Sequence, residues 1–212
     1  MSDDYRNTKY CPILDNLSEK KKAVKNAILT VHPKATDMHR YIADNDDSFK
    51  QQFIEAYNGK CAYCGVSISI IPWKMFEIDH FIPKEAVRFE GSKAKAGYID
   101  NLVLSCYDCN RAKSSLEIPD EDHHKINPDG SGIVESYIRD EDYYIRISNT
   151  FRNDKSIKQF YEQLNLDSQM HRIDYLLLNV RGLREKITDK HPAYSGLTKA
   201  IDLLQQKRNV VR

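Results

Sequence analysis

Four cysteines stand in two Cys-x-x-Cys pairs, Cys61/Cys64 and Cys106/Cys109, with 41 residues between the pairs and Asp79-His80 enclosed by them. Two intervening residues let one tight turn aim both sulfurs at a tetrahedral ion, so the pairs together read as one four-cysteine site for structural zinc. Such a cage implies a folded knuckle and nothing about catalysis. The reactive chemistry lies in its company. Asp79 offers hard carboxylate oxygen, His80 offers a base that can deprotonate water, and Asn110 follows the last cysteine at once. Neighbouring helix residues point about 100° apart, so Cys109 can face zinc while Asn110 turns toward a second metal. Lys113 shares the Asn110 face and is placed to meet a phosphate. A carboxylate with an amide oxygen suits Mg²⁺ or Mn²⁺ better than Zn²⁺. A base that makes hydroxide, together with a cation that stabilises charge on the phosphorane and leaving oxygen, is the set that phosphodiester hydrolysis needs.

In an ideal strand Asp79 and His80 point to opposite faces, so both reach one site only where the strand is ending, as Pro83 suggests. Phe76-Glu77-Ile78 and Leu102-Val103-Leu104 read as short strands, and the pattern turns helical from Cys106 to about Leu116. Upstream, residues 1–17 read as irregular, with Ser18 capping a helix to about Leu29. A helical stretch near 36–43 follows, then one from Asp47 or Ser48 to Tyr57, stopped by Asn58-Gly59. Downstream, a polar connector leads to a hairpin of Ile133–Ile138 and Tyr143–Ile147 around Arg139-Asp140-Glu141-Asp142. Helices are expected over 155–164, 168–187 and 194–208. In the middle one Met170, Ile173, Leu177, Val180, Leu183 and Ile187 recur at helical spacing and read as core.

The chain has 212 residues, 41% of them apolar, and no stretch reads as a signal peptide or membrane span. A cytoplasmic protein with reduced thiols is expected, with Cys11 as an ordinary thiol. The formal charge is +1; four thiolates contribute −4 and zinc +2, which leaves −1. Nucleic-acid proteins are usually more basic, so any grip must rest on a local patch or on a partner. Lys84, Arg88, Lys93, Lys95, Arg111 and Lys113 lie around the cage, whereas Lys20, Lys21, Lys22 and Lys25 read as a solvated helix face. His123-His124 reads as a solvated pair, and His32, His39, His171 and His191 lack any partner pattern.

Strand, strand and helix, with the last cysteine pair feeding the helix, resemble the ββα-metal module of the HNH endonuclease family. The resemblance is carried by Cys61-Ala62-Tyr63-Cys64-Gly65, by Glu77-Ile78-Asp79-His80-Phe81-Ile82-Pro83-Lys84, and by Asn101-Leu102-Val103-Leu104-Ser105-Cys106-Tyr107-Asp108-Cys109-Asn110-Arg111-Ala112-Lys113. The family's first His and its Asn fall on His80 and Asn101. Its final His is Asn110 here, as in the members that end in Asn, among them the HNH domain of RNA-guided CRISPR nucleases.

The resemblance implies an α+β fold: a ββα-metal nuclease core stapled by the four-cysteine zinc site, embedded in a mainly helical chain with one additional β-hairpin. It implies a helical region over 1–57, the nuclease module over 58–116, and a connector, hairpin and helices over 117–212. It also implies one catalytic Mg²⁺ or Mn²⁺ on Asp79 and Asn110, His80 as general base and Asn101 holding the His80 loop. Lys84, Arg111 and Lys113 become nucleic-acid contacts, with DNA as the expected substrate and 5′-phosphate products. The part beyond the module is similar, loosely, to the small HNH subunits of bacterial anti-phage systems such as Septu, which work with an ATPase partner. The competing reading is a zinc-stabilised nucleic-acid- or protein-binding module without catalysis, which would have no use for a base beside hard-metal ligands.

Overall fold

The computed structural model describes residues 4–45 and 47–211, so residues 1–3 of the irregular N-terminal segment lie outside the described part. The elements run in the order α1 (Leu17–Val31), α2 (Asp47–Ala56), β1 (Phe76–His80), α3 (Lys93–Ala96), β2 (Leu102–Cys106), α4 (Tyr107–Lys113), α5 (His123–Ile126), α6 (Gly132–Ser136), β3 (Tyr137–Arg139), β4 (Ile145–Ile147), α7 (Lys155–Gln163), α8 (Gln169–Glu185) and α9 (Tyr194–Val210). The fold is α+β, with two separate two-stranded sheets. Among the described residues no helix is long and apolar enough to cross a membrane.

β1 and β2 pair antiparallel with Phe76 opposite Cys106 and His80 opposite Leu102. Every residue of β2 is buried: α4 packs on the strand, and Ala62 N and Tyr57 Oη donate to its carbonyls at Leu104 and Leu102. The loop bearing the first cysteine pair docks on the sheet through Ala62 N, which donates to Leu104 O at 2.7 Å. Gly65 closes that loop at φ +80°, and a Cβ there would sit 2.5 Å from the Arg6 carbonyl oxygen, so the knuckle and the N-terminal segment meet at a glycine. Arg6 in turn donates to the carbonyls of Ala62 and Pro128. α2 stops at Asn58 and Gly59, both at positive φ, as their residue types require.

One continuous core runs from Tyr5 to Leu166 and includes all four paired cysteines. A second, smaller cluster of Ile173, Leu177 and Ile201 joins α8 to α9. Of the stripe expected to be core on α8, Ile173 and Leu177 are buried, whereas Met170, Val180, Leu183 and Ile187 are less deeply covered.

Three local expectations are corrected. α1 begins at Leu17 after Asn16 in the left-handed region, with no side-chain cap, so Ser18 lies inside the helix. Ile133–Ser136 is helical rather than extended, and only Tyr137–Arg139 pairs with β4. Packing of α6 onto α5 overrides the local β preference: Ser136 Oγ donates to Lys125 O at 2.9 Å, and a Cβ at Gly132 would meet His124 O. Finally, Lys21 does not belong to a solvated face. It is buried and ion-paired with Asp129, which also accepts from Tyr57 Oη at 2.7 Å.

Candidate active site

The thiols of Cys61, Cys64, Cys106 and Cys109 all lie within 4.8 Å of one another and all four residues are buried. Cys106 ends β2 and Cys109 lies in the first turn of α4, so sheet and helix both depend on this cluster. Four thiols this close cannot all ionise unaided. Hydrogen bonding to Cys106, then to Cys61 and Cys64, pushes the Cys109 thiol well above its ordinary range, and burial adds to the effect. A dipositive ion would relieve that conflict, and four sulfurs with no other donor fit zinc.

Facing α4, the same side of β1 presents Glu77 and Asp79, two residues apart as strand periodicity dictates. Asp79 is 7% exposed. Its Oδ2 accepts from Tyr63 Oη at 2.6 Å, and Lys113 Nζ lies 3.2 Å from Oδ1 and 3.1 Å from Oδ2. Burial pushes the Asp79 carboxyl above the usual range, opposed by Lys113 and Tyr63. Asn110, one residue beyond the cage, bonds through Nδ2 to Glu77 Oε2, and Arg111 Nη2 reaches Glu77 Oε1 at 3.0 Å.

The reading of Lys113 as an exposed phosphate contact is therefore corrected. The side chain is 1% exposed and spends its ammonium on Asp79 and on His80 O at 2.9 Å. Helical spacing set its face; depth was set by α7 and the loop after β1, which close over it. Arg111 and Lys84 remain exposed, Arg111 with its guanidinium 5.0 Å from the Tyr107 ring centroid.

His80 is the last residue of β1, and Lys113, which holds Asp79, lies close enough for its charge to act on the His80 ring. The His80 ring stacks on that of His39, centroids 4.4 Å apart. Burial, with His39, Lys84 and Lys113 nearby, lowers its pKa to about 4, so it is neutral and able to accept a proton at neutral pH. Just beyond it, the buried Asn101 amide clasps the chain. Oδ1 accepts from Ile82 N at 2.8 Å, and Nδ2 donates to Ile82 O at 3.0 Å and Ala96 O at 2.9 Å. Removing that amide leaves buried backbone groups unpaired, so Asn101→Ala is expected to cost about 1–3 kcal/mol. Urea unfolding of the zinc-loaded chain measures this; a midpoint equal to wild type would contradict it.

Sequence reasoning did not single out Glu77, Tyr63 or His39. Glu77 carried a signal, the two-residue strand period from Asp79. The other two come from outside the strand–strand–helix pattern and left none.

The donor chemistry also suits a hard divalent cation. The Asp79 carboxylate, the Asn110 amide and the Glu77 carboxylate sit on the facing sides of β1 and α4, and Asp79 Oδ1 keeps a lone pair beyond its bond to Lys113. His123 is not solvated: its Nε2 lies 2.8 Å from Ile118 O and its ring packs edge-on against Phe81.

Comparison with known proteins agrees with this geometry. Residues 61–116 match the model of the HNH endonuclease family. Over 87 residues the chain is 36% identical to a protein of Bacillus mycoides (strain KBAB4) described as Septu protein PtuB, a match that takes in 37% of this chain and 29% of the relative. The match thus spans less than a third of the relative's length. No solved structure matches the chain.

Proposed function

We propose that the HNH endonuclease domain at residues 61–116 hydrolyses phosphodiester bonds of nucleic acid, DNA above all, with His80 as general base and zinc in the four-cysteine cage. The observation that carries this reading is the meeting of β1 and α4: Asp79 and Asn110 stand on facing elements, and neutral His80 ends the strand that holds Asp79. His80 takes a proton from water; the hydroxide bonds to phosphorus, the bond to the 3′ oxygen breaks, and that oxygen takes a proton from solvent water, leaving a 5′-phosphate and a 3′-hydroxyl. Lys113 steadies the Asp79 carboxylate and the His80 carbonyl, and Asn101 fixes the chain that leaves the strand. Mg²⁺ or Mn²⁺ held by Asp79 and Asn110 would supply electrostatic stabilisation of the developing charge. Arg111 and Lys84 are exposed cations near this site and serve as phosphate contacts.

The surroundings support a role that needs a partner. Exposed bases near the site are largely offset by acids: Lys84 by Glu85, Arg88 by Asp120, Lys95 by Glu90. So balanced a surface supplies little of the counterion-release affinity on which DNA binding depends. A cytoplasmic nuclease subunit of a Septu-type anti-phage system, borrowing its grip from an ATPase partner, fits both this electrostatics and the similarity to the Bacillus protein.

The purified chain is expected to cleave DNA in Mg²⁺, to stop on brief EDTA treatment and to recover when Mg²⁺ is restored, without refolding, because the thiolate-held ion outlasts the chelator. Asp79→Ala and Asn110→Ala are each expected to lower the rate, with part of the loss regained at high metal. Cleavage that survives chelation with zinc still bound would end the role given to Asp79 and Asn110, and no cleavage of any nucleic acid, with or without a partner, would favour a binding module.

A further inference from the structure

We infer that His39 is a positioning residue for the His80 ring, an inference that rests on His80 being the general base. A histidine base is ordinarily oriented by a group bonded to its second ring nitrogen. Among the described residues none makes a hydrogen bond to the His80 imidazole. What meets the ring is His39, stacked at 4.4 Å between centroids with 26° between planes.

His39 is itself held on several sides. Its Nε2 lies 3.2 Å from Ile78 O and so carries the proton it donates there. Ile78 sits two residues before His80, on the same face of β1, so the bond ties the stacking ring to the strand that carries its partner. The backbone N–H groups of Met38 and His39 both donate to Gly97 O, at 2.9 and 3.3 Å, which fastens the segment to the loop between the strands. Met38 and Ile42 are buried on either side, and a π-helix, Arg40–Asn45, begins at the next residue. Such helices are rare and recur at functional sites.

The stack restricts rotation of the His80 ring without engaging either ring nitrogen in a hydrogen bond. That restraint is what a base held by no orienting carboxylate requires, since small misplacements of a reacting group cost much rate. A contribution of this kind acts on the chemical step and leaves substrate binding alone.

The test uses the intact, zinc-loaded chain with Mg²⁺ and DNA substrate, and compares His39→Leu, which keeps bulk without a planar ring, with His39→Phe, which keeps the ring. His39→Leu is expected to lower kcat by about tenfold or more at unchanged KM, and His39→Phe to stay within about threefold of wild type. Zinc content should match wild type in both, and any fall in unfolding midpoint from the lost bond to Ile78 O should be the same in both. In parallel, the ring-proton NMR signals of His80 should shift in His39→Leu and largely return in His39→Phe, a readout independent of activity. Wild-type kcat in His39→Leu, equal impairment of both variants, or His80 signals indifferent to His39→Leu would each overturn the inference. His80→Ala serves as the control: undiminished cleavage by that variant would instead remove the general-base assignment itself.

Discussion

His80→Ala is expected to lower the cleavage rate by roughly 10²–10⁴-fold, the range for loss of a general base, while zinc content and stability stay near wild type. Stability should hold because the fold uses the backbone of His80 rather than its ring. The carbonyl accepts from Lys113 and the residue pairs with Leu102 in the sheet, and neither contact involves the imidazole. The wild-type rate should also decline as pH falls toward about 4, where His80 takes up a proton and the Asp79 carboxyl, raised by burial, moves toward its protonated form. The sign follows from the shift: a histidine whose pKa is lowered stays in its proton-accepting form over a wider range. An undiminished rate in the mutant would remove His80 from the chemistry and return weight to a non-catalytic binding module.

The parts of the site that could be read from sequence were those fixed by coordination chemistry and short-range periodicity. Two Cys-x-x-Cys pairs demanded that distant segments converge, and the α4 spacing placed Asn110 and Lys113 on one side of a helix whose other side binds the cage. Periodicity says which way a side chain points but not how deep it ends. Lys113 shows the difference: its face was legible, its burial on Asp79 was not, because α7 and the residues after β1 cover it from far along the chain.

The illegible remainder is the shell contributed by the N-terminal segment. Arg6 bonds to the knuckle at Ala62, Tyr5 Oη donates to Tyr63 O at 2.5 Å, Lys21 pairs with Asp129, and His39 lies on His80. Each is a contact across tens of residues, beyond the reach of any local periodicity. Ile133–Ser136 failed for a related reason: a β-branched run packed against α5 became a helix, tertiary contact outweighing a propensity worth at most about 1 kcal/mol.

Cys106→Ser is expected to cost the chain its tightly held zinc and with it most of the cooperative stability of the module. A serine hydroxyl is a poor replacement for thiolate, and structural zinc in small domains contributes on the order of 10–16 kcal/mol of apparent binding free energy at neutral pH, comparable to or larger than a domain's usual net stability of about 5–15 kcal/mol. The position magnifies the loss. Cys106 is the last residue of β2, pairs with Phe76 at the start of β1, and is the N-cap of α4, the helix that carries Asn110 and Lys113. When the ion goes, the elements that bring Asp79 and Asn110 to face each other lose their common anchor, and cleavage should fall with stability rather than separately from it, unlike in His80→Ala. Metal analysis should find about one zinc per wild-type chain and far less in the variant, and thermal unfolding should show a lowered or vanished cooperative transition. Wild-type protein with substantially less than one zinc, or a Cys106→Ser variant that unfolds at the wild-type midpoint, would mean that the four thiols do not form a structural zinc site.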